Sequence, residues 1–351
     1  MPRFVSAALA LLILGGGCGG SSGEARPGAA PLLPTKERPP LVFVGFDASG
    51  PLVDALKAGK LQGLVVQNPY KMGDLGVRTV VAQLEKKPIE PKIATGETLV
   101  TPENMDEPEV AALLHPPKAP NRTEGSLSGA KAKAWRVMVI PKGTTHEFWM
   151  TIHAGAEKAA KELGNVELIW QGPQKEDDRI QQIQLVQSAV ASGVDGIVLA
   201  PLDAKALVKP VEEAIGKGIA VVIIDSDLES EKIASYVATD NYHGGVLAAR
   251  RMGERLQGAG DILVLRYMVG SASTEKREQG FLDTIAKEFP KVKVVSETEY
   301  AGATSDSAQQ KSQSLVTRYR GQVNGVFCPN ESSTFGMLRA LEGAGMLTRG
   351  K

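Results

Sequence analysis

Residues 41–73 read LVFVGFDASGPLVDALKAGKLQGLVVQNPYKMG. Two short apolar runs, 41–46 and 64–67, are rich in β-branched residues. Between them Leu52, Val53 and Leu56 recur at helical spacing. After the second run, Asn68 and Pro69 open another helical stretch, an Asn at the cap and a Pro at the first helical position. The runs are continuously apolar rather than alternating, so each strand is expected to be buried on both faces, as in a parallel sheet built from strand–helix–strand units.

The same alternation resumes at residue 135. Strands are expected at 136–140, 166–170, 196–200, 219–225, 236–239, 261–265, 292–296 and 325–328. Helices are expected at 148–163, 178–191, 204–216, 244–256, 276–288, 307–319 and 332–342. So many units exceed one sheet of usual size, and the fold class expected is α/β with two doubly wound parallel-sheet lobes.

The chain has 351 residues, 42% of them hydrophobic, enough for two ordinary cores. Its formal net charge is zero, which gives no electrostatic footprint for nucleic acid or an anionic membrane. Residues 1–18 have the pattern of a processing signal: Arg3, then an apolar run over 4–14 too short to span a bilayer, then three glycines and Cys18. The pattern resembles a bacterial lipoprotein signal, which implies lipidation of Cys18 and membrane attachment through that N-terminal lipid. Residues 19–40, rich in Gly, Ser, Pro and Ala, read as a flexible tether. A second proline-rich stretch within 99–133 reads as a linker. Cys328 lies in the apolar run 325–328 and reads as a buried thiol rather than half of a disulfide.

Ligands of open parallel sheets bind beyond the carboxyl ends of the strands. What stands there is telling. Asp47 follows 42–46, Gln67 ends 64–67, Asp225 follows 219–224, Thr239, Asp240 and Asn241 follow 236–238, and Asn330 follows 325–328. After 136–140 comes PKGTTHEFW, with Lys142, His146, Phe148 and Trp149. Asp, Asn, Gln and Arg offer planar hydrogen-bonding partners to hydroxyls, while aromatic rings pack on an apolar C–H face.

These residues, with Arg277 before Gly280 and Phe281, resemble the ribose/galactose-type periplasmic (type 1) sugar-binding proteins of ABC importers. The resemblance covers most of 41–100 and 134–351, in two pieces of swapped order. It implies a circular permutation in which 41–46 supplies the strand following the helix at 332–342. Lobe two would then hold 41–67 with 239–351, lobe one 68–98 with 134–238, and the linker 99–133 would join the permuted ends. The three hinge crossings would lie near 67–68, 98–100 and 239–241.

The resemblance implies sugar-facing roles for Phe46, Asp47, Gln67, His146, Phe148, Trp149, Asp225, Arg277 and Asn330. Thr239, Asp240 and Asn241 would be hinge residues, and Lys142 an exposed residue of the rim. Ser226 stands where ribose binders carry arginine, and Ala303 and Tyr300 compete for a second stacking position. The expected function is capture of a monosaccharide-like sugar or polyol and its delivery to an ABC permease by a lipid-anchored monomer, with no cofactor and no enzymatic step. A ligand-sensing receptor is the alternative, and a sugar-acting enzyme a weaker one. The four histidines show no metal-ligand spacing, and no nucleophile or phosphate-loop motif is present.

Overall fold

The computed structural model describes residues 40–119 and 134–347. The expected signal segment with Cys18 and nearly all of the expected tether lie outside them. The first stretch runs β1 (Val42–Phe46), α1 (Gly50–Lys57), β2 (Gly63–Gln67), α2 (Pro69–Leu84), β3 (Lys92–Ala94), β4 (Glu97–Val100) and α3 (Pro108–Leu114). Next come β5 (Trp135–Ile140), α4 (Glu147–Leu163), β6 (Val166–Trp170), α5 (Arg179–Ala191), β7 (Gly196–Leu199), α6 (Val208–Gly216), β8 (Ala220–Ile224) and β9 (Ser235–Ala238). The rest is α7 (Asn241–Arg255), β10 (Ala259–Arg266), α8 (Ala272–Glu288), β11 (Lys291–Tyr300), α9 (Ser305–Arg318), β12 (Gly325–Phe327) and α10 (Glu331–Gly343).

The strands form two six-stranded sheets. Lobe one carries the order β3-β9-β8-β7-β5-β6, and lobe two β11-β10-β12-β1-β2-β4. All pairings are parallel except that of β2 with β4. The pairing expected between 41–46 and 325–328 is present: Val42 lies opposite Gly325 and Val44 opposite Phe327. Each sheet is covered on both faces, which is why its strands read as unbroken apolar runs. In β1, Phe43 faces a cluster with Leu52 and Leu56 of α1, while Val42, Val44 and Phe46 face α7 and α8 through Ala248, Met252 and Phe281.

One helix pair in each lobe packs with unusually close backbones. A Cβ on Gly73 of α2 would lie 2.0 Å from the Ile152 carbonyl oxygen of α4, and one on Gly155 2.0 Å from that of Tyr70. In lobe two, a Cβ on Gly245 of α7 would lie 2.0 Å from the Arg277 oxygen, and one on Gly280 2.1 Å from that of Tyr242. Only glycine permits either contact. These tight pairs fix α4 and α8, whose first turns carry much of the site.

Three crossings connect the lobes. The first follows Gln67, where Asn68 caps α2 by accepting from the Lys71 N–H at 2.9 Å. The third follows Thr239, where Asp240 caps α7 by accepting from the His243 N–H at 3.0 Å. The second differs from the sequence expectation. It falls between β3 and β4, at Thr95 and Gly96, where Gly96 takes a φ of +89°. Residues 97–100 are therefore a strand of lobe two, with Leu64 opposite Val100.

The stretch 99–133, expected to be a linker, contains α3, whose Val110 and Leu114 are buried in lobe two's core. Pro108 starts that helix and the prolines at 116 and 117 follow it, signals outweighed in the reading by overall composition. The helix expected from 204 begins at Val208, because Pro210 is tolerated only within a first turn.

Candidate functional site

Side chains from both lobes converge on one narrow cavity, with about 30 Å³ of room for the centres of water-sized occupants. Lobe one contributes Lys142, His146, Phe148, Trp149, Glu176 and Asp225. Lobe two contributes Asp47, Gln67, Tyr267 and Arg277, with Ser273, Thr274, Asn330 and Glu331.

Asp47 and Asp225 occupy equivalent places, each immediately after a buried central strand. Both have left-handed backbones, with φ of +67° and +61°. This conformation costs an ordinary residue about 1–2 kcal/mol, and Asp is among those that bear it best. The Asp47 N–H donates to the Val65 carbonyl at 2.9 Å and that of Asp225 to Val237 at 3.1 Å, so the neighbouring strand holds each turn.

The charges of lobe one are already matched to one another. Lys142 is 3% exposed and its Nζ lies 2.8 Å from Asp225 Oδ2. It also donates across the cleft to the hydroxyls of Ser273 at 3.1 Å and Ser271 at 3.4 Å. His146 Nδ1 lies 2.5 Å from Glu176 Oε1, which accepts from Trp149 Nε1 as well, at 2.6 Å. The other Glu176 oxygen accepts from the Tyr267 hydroxyl of lobe two at 2.5 Å. Burial by itself disfavours the charged form of either member of the His146–Glu176 pair, but their attraction outweighs it. The imidazolium is raised to about 9 and the carboxylate is held well below its ordinary range. Phe148 and Trp149 meet edge to face, centroids 4.9 Å apart, and form an aromatic wall.

Lobe two leaves bonding capacity open. Arg277, 2% exposed, lies over the Phe46 ring at 4.7 Å. Its Nε donates to Asn241 Oδ1 at 2.8 Å and its Nη1 to the Pro329 carbonyl at 3.0 Å. Its Nη2 is buried with no partner. Gln67 Nε2 donates to Asp47 Oδ1 at 2.7 Å, while Gln67 Oε1 is likewise buried and unpartnered. Asp47 Oδ2 accepts from the Glu331 N–H at 3.0 Å. Burial pushes the Asp47 carboxyl up despite the pull of Arg277. It pushes that of Glu331 up to about 7, with the Asp47 charge adding to the rise and His146 opposing it.

Of the residues expected to face a ligand, eight line the cavity: Asp47, Gln67, His146, Phe148, Trp149, Asp225, Arg277 and Asn330. Phe46 does not. It shares a strand face with Val42 and Val44 and is wholly buried beneath Arg277, so it supports the site from below. Lys142 is not an exposed rim residue but a buried ion-pair partner. Thr239 is buried in the hinge, Asp240 is an exposed helix cap, and Asn241 orients Arg277. Tyr300 does not line this cavity, and Ala303 lines a neighbouring one that shares His146 and Glu176; the third aromatic of the cavity is Tyr267, directly after β10. Glu176, Tyr267 and Glu331 were missed. The strand-end rule reaches Tyr267 and Glu331, but Glu176 lies on a loop with no sequence signal. Cys328 is a free, buried thiol. Among the described residues no cluster of potential metal ligands occurs and no helix is long and apolar enough to cross a membrane.

Known proteins share this architecture. A D-ribose/D-allose-binding protein of Pseudomonas aeruginosa is 30% identical over 60% of this chain and 67% of its own length. A xylitol-binding protein of Mycolicibacterium smegmatis is 30% identical over 54% of this chain, an alignment spanning about half (53%) of that relative. A solved carbohydrate-transporter solute-binding protein of Agrobacterium radiobacter, in complex with D-arabinose, matches with a TM-score of 0.58 and 32% identity over 62% of this chain and 74% of its own. The model of the periplasmic binding protein domain matches residues 137–351. With two parallel-sheet lobes, three crossings and a polar cavity between them, the chain belongs to the periplasmic binding protein family.

Proposed function

We propose that this protein captures a neutral monosaccharide or polyol between its lobes in the periplasm and hands it to an ABC permease, without transforming it. One observation carries the reading: two residues that line the same cavity each keep a buried polar atom with no protein partner, the donor Arg277 Nη2 and the acceptor Gln67 Oε1. An unmade buried hydrogen bond costs about 1–3 kcal/mol, and a hydroxyl, donor and acceptor at once, satisfies either atom. The edge-to-face Phe148–Trp149 wall suits the C–H face of a sugar ring or the carbon chain of a polyol. Relatives named for ribose, allose and xylitol support the class.

Micromolar affinity, about −8 kcal/mol, suffices for capture and release. Ligand binding would bias a hinge at the three crossings toward closure. Anchoring through a lipid on Cys18 and a monomeric state complete the reading. A thermal-shift screen of xylitol, D-ribose, D-allose and D-arabinose tests it. A rise in melting temperature with at least one, absent in Arg277→Ala, is expected; no rise with any of them contradicts the neutral-sugar assignment.

The reading includes circular permutation. Its support is that β1 completes the sheet beside β12, and that alignments to solved relatives cover about 60% of this chain although 41–100 contributes strands to both sheets. A rewired gene that runs 134–347 and then 41–100 should yield a folded protein with unchanged affinity. Insoluble or non-binding product contradicts the permutation.

A further inference from the structure

Helix α4 begins at Glu147 after His146, whose side chain makes no capping hydrogen bond. The cap comes instead from the other lobe: the Phe148 N–H, in the first turn, donates to Glu331 Oε2 at 3.2 Å. The arrangement is reciprocated. Helix α1 follows Ser49, which likewise makes no side-chain cap, and the Gly50 N–H donates to Glu147 Oε2 of lobe one at 3.3 Å. Two helices in different lobes thus take their first-turn acceptors from each other's lobe, contacts that exist only while the cleft is shut.

Glu331 does more than cap. It lines the cavity, and its Oε1 accepts no hydrogen bond among the described residues. Of the other charges there, Lys142 pairs with Asp225 and His146 with Glu176, while Asp47 feels the nearby Arg277 charge without bonding to it. The charged groups facing Glu331 are Asp47 after β1 and His146 and Glu147 at the start of α4. Glu331 is therefore the surplus carboxylate of the site.

We propose that Glu331 is a specificity-determining residue that couples ligand charge to closure. One oxygen caps α4 across the cleft, and the other accepts a hydroxyl or ammonium hydrogen from the ligand, so the site admits neutral and amine-bearing sugars or polyols and rejects sugar acids. The selectivity rests on the sugar or polyol reading above; the cross-lobe cap does not. An anionic ligand would place a second carboxylate against Glu331 and Asp47, a like-charge contact that discriminates strongly in a desolvated site. Burial first, and then the Asp47 charge, raise the Glu331 carboxyl to about 7 against the pull of His146, so the repulsion of an acid is complete only above that pH.

The test is calorimetry on the full-length protein with matched probes: D-ribose against D-ribonate, D-arabinose against D-arabinonate, and D-glucosamine. Wild type should bind a neutral probe at least about 100-fold more tightly than its acid. Glu331→Gln should narrow that gap at least tenfold, and Glu331→Ala should weaken the neutral probe about tenfold. An unchanged neutral-to-acid ratio in Glu331→Gln overturns the selectivity. If wild type binds none of the probes, the sugar reading fails and the selectivity with it. The cap has its own readout: backbone amide exchange in the first turn of α4 should quicken in Glu331→Ala, and unchanged exchange there overturns the cap.

Discussion

The two lobes are built alike and equipped differently. Each places an aspartate with a left-handed backbone after a central strand, Asp225 in one and Asp47 in the other. Each enters a helix from a crossing through an Asn or Asp cap, and each locks that helix to its neighbour through a pair of glycines. Yet lobe one brings aromatics and charges that already satisfy one another, whereas lobe two brings Arg277, Gln67 and Glu331 with atoms unspent. Lobe one thus supplies shape and a pre-set field, and lobe two supplies open hydrogen-bonding capacity. A shared scaffold fixes where side chains stand, and their bonding state decides which of them a ligand can use.

The largest expected effect separates the lobes. Arg277→Ala leaves Asp47 without its facing cation and removes the orphan donor. Ligand affinity should fall by at least about 100-fold, because a buried charged donor without a protein partner is the strongest hydrogen-bonding group the site can offer a hydroxyl. Asp225→Asn, whose neighbour Lys142 retains two serine contacts, should cost about tenfold or less. Calorimetry on the two variants checks the order; equal losses would break the division of labour.

Next come the scaffolds. Gly73→Ala and Gly245→Ala each press a methyl against a backbone oxygen 2.0 Å away and must push a helix pair apart. Each should cost about 1–3 kcal/mol, a drop of several degrees in melting temperature. Similar drops would support structural equivalence, and a tolerated change in one lobe alone would deny it.

A smaller effect is pH-dependent. The folded His146 imidazolium titrates near 9, above its unfolded value of about 6.5, so its contribution is complete below pH 6.5 and lost as pH rises toward 9. Glu176 is depressed, so its contribution is present above about pH 4.5 and lost as pH falls. Melting temperatures from pH 6.5 to 9.5 should fall more in wild type than in His146→Gln; parallel curves would show that the pair does not hold the cleft. The smallest effect concerns Lys276 and Asp227, an exposed pair 3.0 Å apart across the rim. Lys276→Ala should leave affinity within about twofold, and that difference should vanish in high salt.

The fold was legible because parallel strands buried on both faces are nearly continuous apolar runs, and what stands at their ends marks the ligand edge. The same rule brought Asp47, Gln67, Asp225 and Asn330 together from both ends of the chain. The family resemblance, not that rule, placed Phe46 at the ligand, although alternation with Val42 and Val44 puts that ring on a helix-covered face. Lys142 was read as exposed because lysines usually are, and only three dimensions reveal the carboxylate and two serines that hold it. Glu176 carried no signal, since its loop acquires meaning only when His146, Trp149 and Tyr267 surround it. The crossing at Gly96 was misplaced because β4 is four residues long and antiparallel, with no βαβ unit to announce it.

The most direct test of the account is a fluorescence titration. Trp149 lines the cavity, whereas Trp135 and Trp170 do not. The measurement is tryptophan emission during addition of D-ribose, D-allose, xylitol and D-arabinose, in wild type and in Gln67→Leu with Arg277→Leu. The account predicts a saturable change with at least one neutral probe in wild type and none in the double variant. Saturable binding that survives the loss of both orphaned groups would contradict it.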